Sequence, residues 1–183
     1  MYMKRETKLH NILFPPYMLV TIMPVISIIF MGLNFIIDSL VLLVISKYIY
    51  KKVNFVFYKK SIWKIWGFGY IGDIIGALFL FIGSEFSYSY VVSHINDKNS
   101  IAYAVFSGVN NITNHPSELN IYSYIYIAMA IVISSVAIFW FDYFIAFRKT
   151  DLNKKQRCLS SLAFAVITAP YTFLLPSSLF YIQ

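Results

Sequence analysis

Two aspartates stand inside long apolar stretches of this sequence, where a charged side chain is unusual. Asp38 precedes Lys47 by nine residues, and Asp73 follows Lys64 by nine. Nine residues of α-helix rise about 13.5 Å. If both lysines mark one edge of a membrane, the two carboxyl groups lie at a similar depth on successive antiparallel helices. The spacing therefore predicts a carboxyl pair near the middle of a bilayer.

Such a pair has a definite chemistry. Two nearby carboxylates in a low-dielectric medium repel each other unless a proton or a cation neutralises them, and carboxyl groups inside membrane spans commonly mark proton or ion pathways. Asn34 lies one helical turn before Asp38, where it could supply a neutral oxygen ligand. We therefore regard Asp38, Asp73 and Asn34 as a candidate proton or cation site. The alternative is structural, with each neutral aspartic acid hydrogen-bonded to a neighbouring helix.

Glycines occur throughout the stretch that carries Asp73, at Gly67, Gly69, Gly72 and Gly76. The last two form a G-x-x-x-G motif, which lets the backbone of another helix approach closely. We expect these small residues to let a second helix pack closely, although they would equally leave room for an ion or for water beside Asp73.

A third intramembrane acid, Asp142, stands six residues before Arg148, about 9 Å along a helix. A basic side chain near the end of a span can extend along the helix surface toward such a carboxylate. We expect a structural ion pair between Asp142 and Arg148.

Enzyme signatures are missing from the sequence. It contains no H-E-x-x-H, no G-x-S-x-G and no phosphate-binding loop. The histidines at 94 and 115 match no compact metal-ligand spacing. We predict no catalytic residue, no metal site and no cofactor, and a membrane enzyme is the least supported interpretation.

The composition identifies the environment of these residues. Hydrophobic residues make up 59% of the 183 and charged residues 13%, and the mean hydropathy is +0.67. Soluble domains are about half apolar and a quarter charged. Because a helix satisfies all its backbone hydrogen bonds internally, the apolar runs predict an all-α, polytopic transmembrane helical bundle.

The runs divide one membrane domain, 1–183, into five predicted spans: 12–31, 33–50, 62–83, 121–147 and 158–182. The first two would form a tight hairpin that turns near Gly32 to Asn34, since glycine and asparagine tolerate the left-handed turn it needs. The alternative is four spans preceded by a partly inserted N-terminal segment.

The segment 84–120 is predicted to be a loop outside the membrane. Phe86, Tyr88 and Tyr90 alternate with serines ahead of a turn-forming stretch at 96–99, which favours a small β-hairpin. The same residues could instead extend the flanking helices beyond the membrane.

Charge gives the orientation. Of the fifteen lysines and arginines, fourteen flank the apolar runs, and such residues accumulate on the cytoplasmic side. We expect the loops 51–61 and 148–157 and the N-terminus to be cytoplasmic, the C-terminus to be external, and the protein to lie in the cell membrane. The net charge of +7 thus encodes topology, and we expect contact with the lipid bilayer and no nucleic-acid partner.

These features favour a small transporter or channel-like protein that uses intramembrane carboxylates. Four or five helices form only a narrow pathway, so a homo-oligomer or a membrane partner subunit is expected. The alternative is a non-catalytic accessory, sensor or immunity protein whose external loop binds a partner.

Overall fold

The computed structural model describes residues 24–49, 55–94, 97–114 and 118–174, and within these ranges it is helical without a β-strand. The helices are α1 (Pro24–Tyr48), α2 (Phe55–His94), α3 (Ile101–Asn114), α4 (Ile121–Phe141), a π-helix (Asp142–Ala146), α5 (Lys154–Ile167) and a 3₁₀ turn (Tyr171–Leu174). In the described ranges, four stretches are long and apolar enough to cross a membrane: Met31–Tyr48, Phe55–Val91, Ile121–Ala146 and Lys154–Leu174. The chain is a multi-pass membrane protein.

Helix α1 runs without interruption through the position of the predicted hairpin turn. Gly32 and Asn34 both lie inside it, so the turn expected there is absent. A continuous helix keeps every backbone group hydrogen-bonded in an apolar medium, which outweighs the roughly 1 kcal/mol that glycine costs inside a helix. The start of the predicted first span, 12–23, lies outside the described residues, and a fifth span is not shown.

The predicted external β-hairpin is also replaced by helix. Helix α2 has 40 residues and is therefore about 60 Å long, twice the roughly 30 Å of a hydrocarbon core. Its last turns occupy the first predicted strand, and α3 occupies the second. The aromatic residues pair at helical rather than strand spacing, because Phe86 stacks on Tyr90 four residues later, at 6.2 Å between ring centroids.

Helix α3 folds back on the last turns of α2 and the first turns of α4. The hydroxyl of Ser84 donates to the carbonyl oxygen of Asn110 at 3.0 Å. The Asn120 amide donates to the carbonyl of Ala104 at 2.8 Å, while its oxygen accepts from two backbone N–H groups as the N-cap of α4. Helix α3 and the N-cap residue of α4 are thus bound to the bundle by hydrogen bonds.

Helices α2 and α4 pack antiparallel, and aromatic pairs fix their register. Phe79 stacks on Tyr126 at 4.6 Å, and Phe68 stacks on Phe141 at 5.2 Å. This register places the middle of α2, with Asp73, beside the middle of α4.

Basic residues of two predicted loops lie at one end of the bundle. The amide of Gln156, in the first turn of α5, donates to the carbonyl of Ile49 at the end of α1 at 3.1 Å. Phe57 at the start of α2 stacks on Phe147 after the π-helix at 6.3 Å. Lys47, Lys59 and Arg148 therefore belong to the same end, which we call the basic end.

Candidate functional site

Asp38 projects from α1 toward α2. Its side chain is buried, at 6% exposure, and its Oδ2 atom lies 4.0 Å from the point that a β-carbon on Gly69 would occupy. Gly69 stands one helical turn before Asp73, on the same face of α2. The glycine thus leaves room for the Asp38 carboxyl group beside the face that carries Asp73.

Asp73 is held between α2 and α4. It is 7% exposed, and its Oδ1 accepts a hydrogen bond from the Ser134 hydroxyl at 3.4 Å. The bond is possible because α4 lies very close to α2 at the two glycines of the G-x-x-x-G motif. A β-carbon on Gly72 would stand 2.5 Å from Ile138 Cγ1, and one on Gly76 would stand 3.0 Å from the Ser134 β-carbon.

Asp142 has the most unusual surroundings of the three. It is fully buried, at 0% exposure, and within the described ranges neither of its carboxyl oxygens has a hydrogen-bond partner. It begins the π-helix, in which the N–H of Phe147 bonds to the Asp142 carbonyl at 2.9 Å. The π-helix packs against α2 and α5.

The ion pair expected between Asp142 and Arg148 is not seen among the described residues. Arg148 is exposed, in the turn that follows the π-helix, while Asp142 faces the interior. A regular α-helix would itself set residues six apart about 120° from each other, and the structure ends the helical segment at Ala146, before Arg148.

Asp38 links the three carboxyl groups electrostatically. It lies close enough to both Asp73 and Asp142 for their charged forms to repel. The spacing of lysines in the sequence identified Asp38 and Asp73 but missed Asp142 as a neighbour. The sequence did contain a signal for Asp142, since it is the third acidic residue of the described chain that stands within an apolar run.

The other predicted residues are placed differently. Asn34 is exposed on α1, so the structure does not enclose its side chain with the carboxyl groups. Gly67 has no atom of another residue within 4 Å of its would-be β-carbon, in contrast to Gly72 and Gly76. The four glycines therefore do not form one uniform packing face.

Further polar groups without partners lie toward the basic end. Among the described residues, the hydroxyl groups of Ser61, Ser160 and Ser161 are buried and make no hydrogen bond. Ser61 is on α2 and the other two are on α5, the two helices that pack against the π-helix. A buried hydroxyl can donate to and accept from water or a carboxyl group.

In the described parts of the chain, no three side chains among Asp, Glu, His and Cys are placed to hold one metal ion. Asp38 is the acid whose charge acts on each of the other two aspartates.

No protein-family model matches the chain, and neither the curated proteins nor the solved structures include a significant match to it.

Proposed function

We propose that this chain is a small transporter or channel-like protein in which Asp38, Asp73 and Asp142 take up and release a proton or a small monovalent cation. The observation that carries the proposal is the Asp142 carboxyl group, which is fully buried, has no hydrogen-bond partner among the described residues and lies within electrostatic range of Asp38.

Energetics favour this function over a purely structural role. A buried ionised carboxylate without a partner costs several kcal/mol, and a carboxyl group that stabilises helix packing has to make a hydrogen bond. Asp73 makes one with Ser134, but Asp142 makes none within the described ranges. Helix packing therefore accounts for one of these aspartates and leaves the other unexplained, whereas a site that exchanges protons accounts for both.

The buried groups suggest an order of transfer. Asp38 lies opposite Gly69, and the stacking of Phe68 on Phe141 places Asp142 at nearly the same level. Asp73 lies one turn farther from the basic end. Under the positive-inside rule the basic end is cytoplasmic, so a proton from the cytoplasm would meet Asp142 and Asp38 before Asp73.

Three features of the assembly belong to the same proposal. The protein lies in the cell membrane, the loops 51–61 and 148–157 are cytoplasmic, and the C-terminus is external. The described spans form a narrow bundle, so a homo-oligomer or a membrane partner subunit completes the pathway.

Proton flux into proteoliposomes tests the proposal. With a pH gradient and a membrane potential imposed separately, the wild-type chain should conduct above protein-free liposomes. Asp38→Asn and Asp142→Asn should reduce the flux to background, while Asp151→Asn, which changes an exposed aspartate at the basic end, should not. Equal flux in all three variants, or a wild type that conducts neither protons nor Na⁺ or K⁺ under either gradient, would contradict it.

One observation favours a second function, that of an accessory protein that binds a partner outside the membrane. On the outer turns of α2, Phe86 is 62% exposed and Tyr88 is 53% exposed, and exposed aromatic side chains are enriched at protein interfaces. Complementation of a strain that lacks the gene tests this function. If the double variant Phe86→Ser/Tyr88→Ser fails to complement while the aspartate variants succeed, partner binding is the function.

A further inference from the structure

A groove opens on the surface where α4 ends and α5 begins. It encloses about 520 Å³ and is lined by Trp140, Phe144, Ile145, Arg148 and Arg157. Trp140 and Phe144 are largely exposed, and both belong to the stretch Ile121–Ala146 that is apolar enough to span the membrane. The groove therefore has an apolar wall within the span and two arginines at its basic end.

The arginines are arranged to receive an anion. The guanidinium carbon of Arg157 lies 4.1 Å from the centre of the Tyr143 ring, a contact that holds the side chain in place. Arg148 lines the same groove and is exposed. A guanidinium fork matches the geometry of phosphate oxygens.

We propose that this groove binds an anionic glycerophospholipid, with its phosphate on Arg148 and Arg157 and an acyl chain along Trp140, Phe144 and Ile145. Basic pockets between transmembrane helices on the cytoplasmic side suit anionic lipid headgroups. A free phosphate ion would leave the apolar wall uncovered, whereas a phospholipid covers the wall and the charges together.

Charge complementarity disfavours a second copy of the chain as the occupant. Apart from Asp151, the exposed acidic residues in the described ranges, Glu85, Asp97 and Glu118, lie on or beyond the outer part of α2, far from the basic end. A second copy would thus bring few carboxylates to the two arginines. The proposal stands on the groove itself and does not depend on the proton site.

The test uses the full chain, delipidated in a neutral detergent. Binding of phosphatidylglycerol is measured by native mass spectrometry and by the shift of the thermal unfolding midpoint. Phosphatidylcholine with the same acyl chains serves as the zwitterionic probe, and inorganic phosphate serves as the free anion. We expect saturable binding of phosphatidylglycerol, with much weaker effects of the other two probes.

Variants locate the site. A basic residue near an anionic surface contributes about 1 kcal/mol, so Arg148→Gln and Arg157→Gln should each weaken phosphatidylglycerol binding about fivefold. Lys149→Gln is the matched control, because Lys149 is exposed next to Arg148 and does not line the groove. Since Arg148 is exposed, its replacement should leave the fold intact even if that of Arg157 does not.

Three results would overturn the proposal. Equal binding of phosphatidylcholine would show that the headgroup charge is irrelevant. Stabilisation by inorganic phosphate equal to that by the lipid would show a free-anion site. A loss in Lys149→Gln as large as that in Arg148→Gln would show diffuse attraction to the basic end and no defined site.

Discussion

The Oδ2 atom of Asp38 lies 4.0 Å from the point that a β-carbon on Gly69 would occupy. The Asp38 carboxyl group of α1 therefore lies next to α2 at a position that has no side chain. Asp73 follows one turn later on α2 and bonds to Ser134 of α4. Residue 69 therefore controls how closely α1 brings its charge to the other carboxyl groups.

Replacement of Gly69 tests this relationship by side-chain size. A methyl group at 4.0 Å makes ordinary contact, so Gly69→Ala should fold normally and become up to about 1 kcal/mol more stable through helix propensity. Gly69→Leu should displace the Asp38 carboxyl group and abolish proton flux in proteoliposomes. If Gly69→Leu conducts like the wild type, the contact between α1 and α2 has no role in the site.

Gly72 should be far less tolerant than Gly67. A β-carbon at Gly72 would stand 2.5 Å from Ile138 Cγ1 and 3.4 Å from the Ile138 nitrogen, and Ile138 is itself buried. We expect Gly72→Ala to lower the free energy of unfolding by about 1–3 kcal/mol, as overpacking does. Gly67→Ala, with open space around it, should be neutral or stabilising in the same denaturation assay. Equal stability of the two variants would refute the close approach of α4.

Ser134 and Ser135 are adjacent residues with different partners. Ser134 donates to Asp73 at 3.4 Å, whereas Ser135 donates at 2.8 Å to the carbonyl of Ile131 in its own helix. Hydrogen bonds between membrane helices contribute about 0.6 kcal/mol on average, so Ser134→Ala should cost roughly that amount. It should also alter the infrared signal of the Asp73 carboxyl group, and Ser135→Ala should leave that signal unchanged. An identical carboxyl spectrum in Ser134→Ala would show that the bond does not form.

Asn120 has two separable tasks at the start of α4. Its oxygen caps the helix, and its amide group ties α4 to Ala104 of α3. Asn120→Ala should destabilise the protein by about 1 kcal/mol from the lost cap alone, and by more once the tie is lost. Asn120→Asp keeps the cap and removes the hydrogen bond to Ala104. Its loss of stability, measured by thermal unfolding, should therefore be smaller than that of Asn120→Ala. Equal losses in the two variants would show that the hydrogen bond to α3, which both variants lack, dominates and that the cap contributes little.

The sequence predicted the helical membrane architecture well, because long apolar runs in lipid have few alternatives to the helix. The counting of nine residues from Lys47 and Lys64 also placed Asp38 and Asp73 at one level. The structure instead sets the Asp38 carboxyl group opposite Gly69, one turn from Asp73. The two differ because a residue count takes no account of helix tilt or of how far a side chain extends.

Other features depend on tertiary contacts that local patterns do not contain. The alternation at Phe86 to Tyr90 resembled a strand, yet packing of α3 on α2 keeps the segment helical. Gly32 and Asn34 resembled a turn, but the bilayer favours an unbroken helix. The π-helix at Asp142 left no local signal, and the count of six residues to Arg148 did not show that Asp142 is buried while Arg148 is exposed.

Infrared titration of the carboxyl carbonyl stretch tests most directly the claim that Asp38, Asp73 and Asp142 act as one site. Groups that interact strongly titrate as a unit, so removal of one changes the titration of the rest. In the purified protein, Asp38→Asn should remove its own band and shift the titration midpoints of the two carboxyl groups that remain, while Asp151→Asn should shift neither. If the remaining groups titrate in Asp38→Asn as they do in the wild type, the three aspartates are independent and the proposed site does not exist.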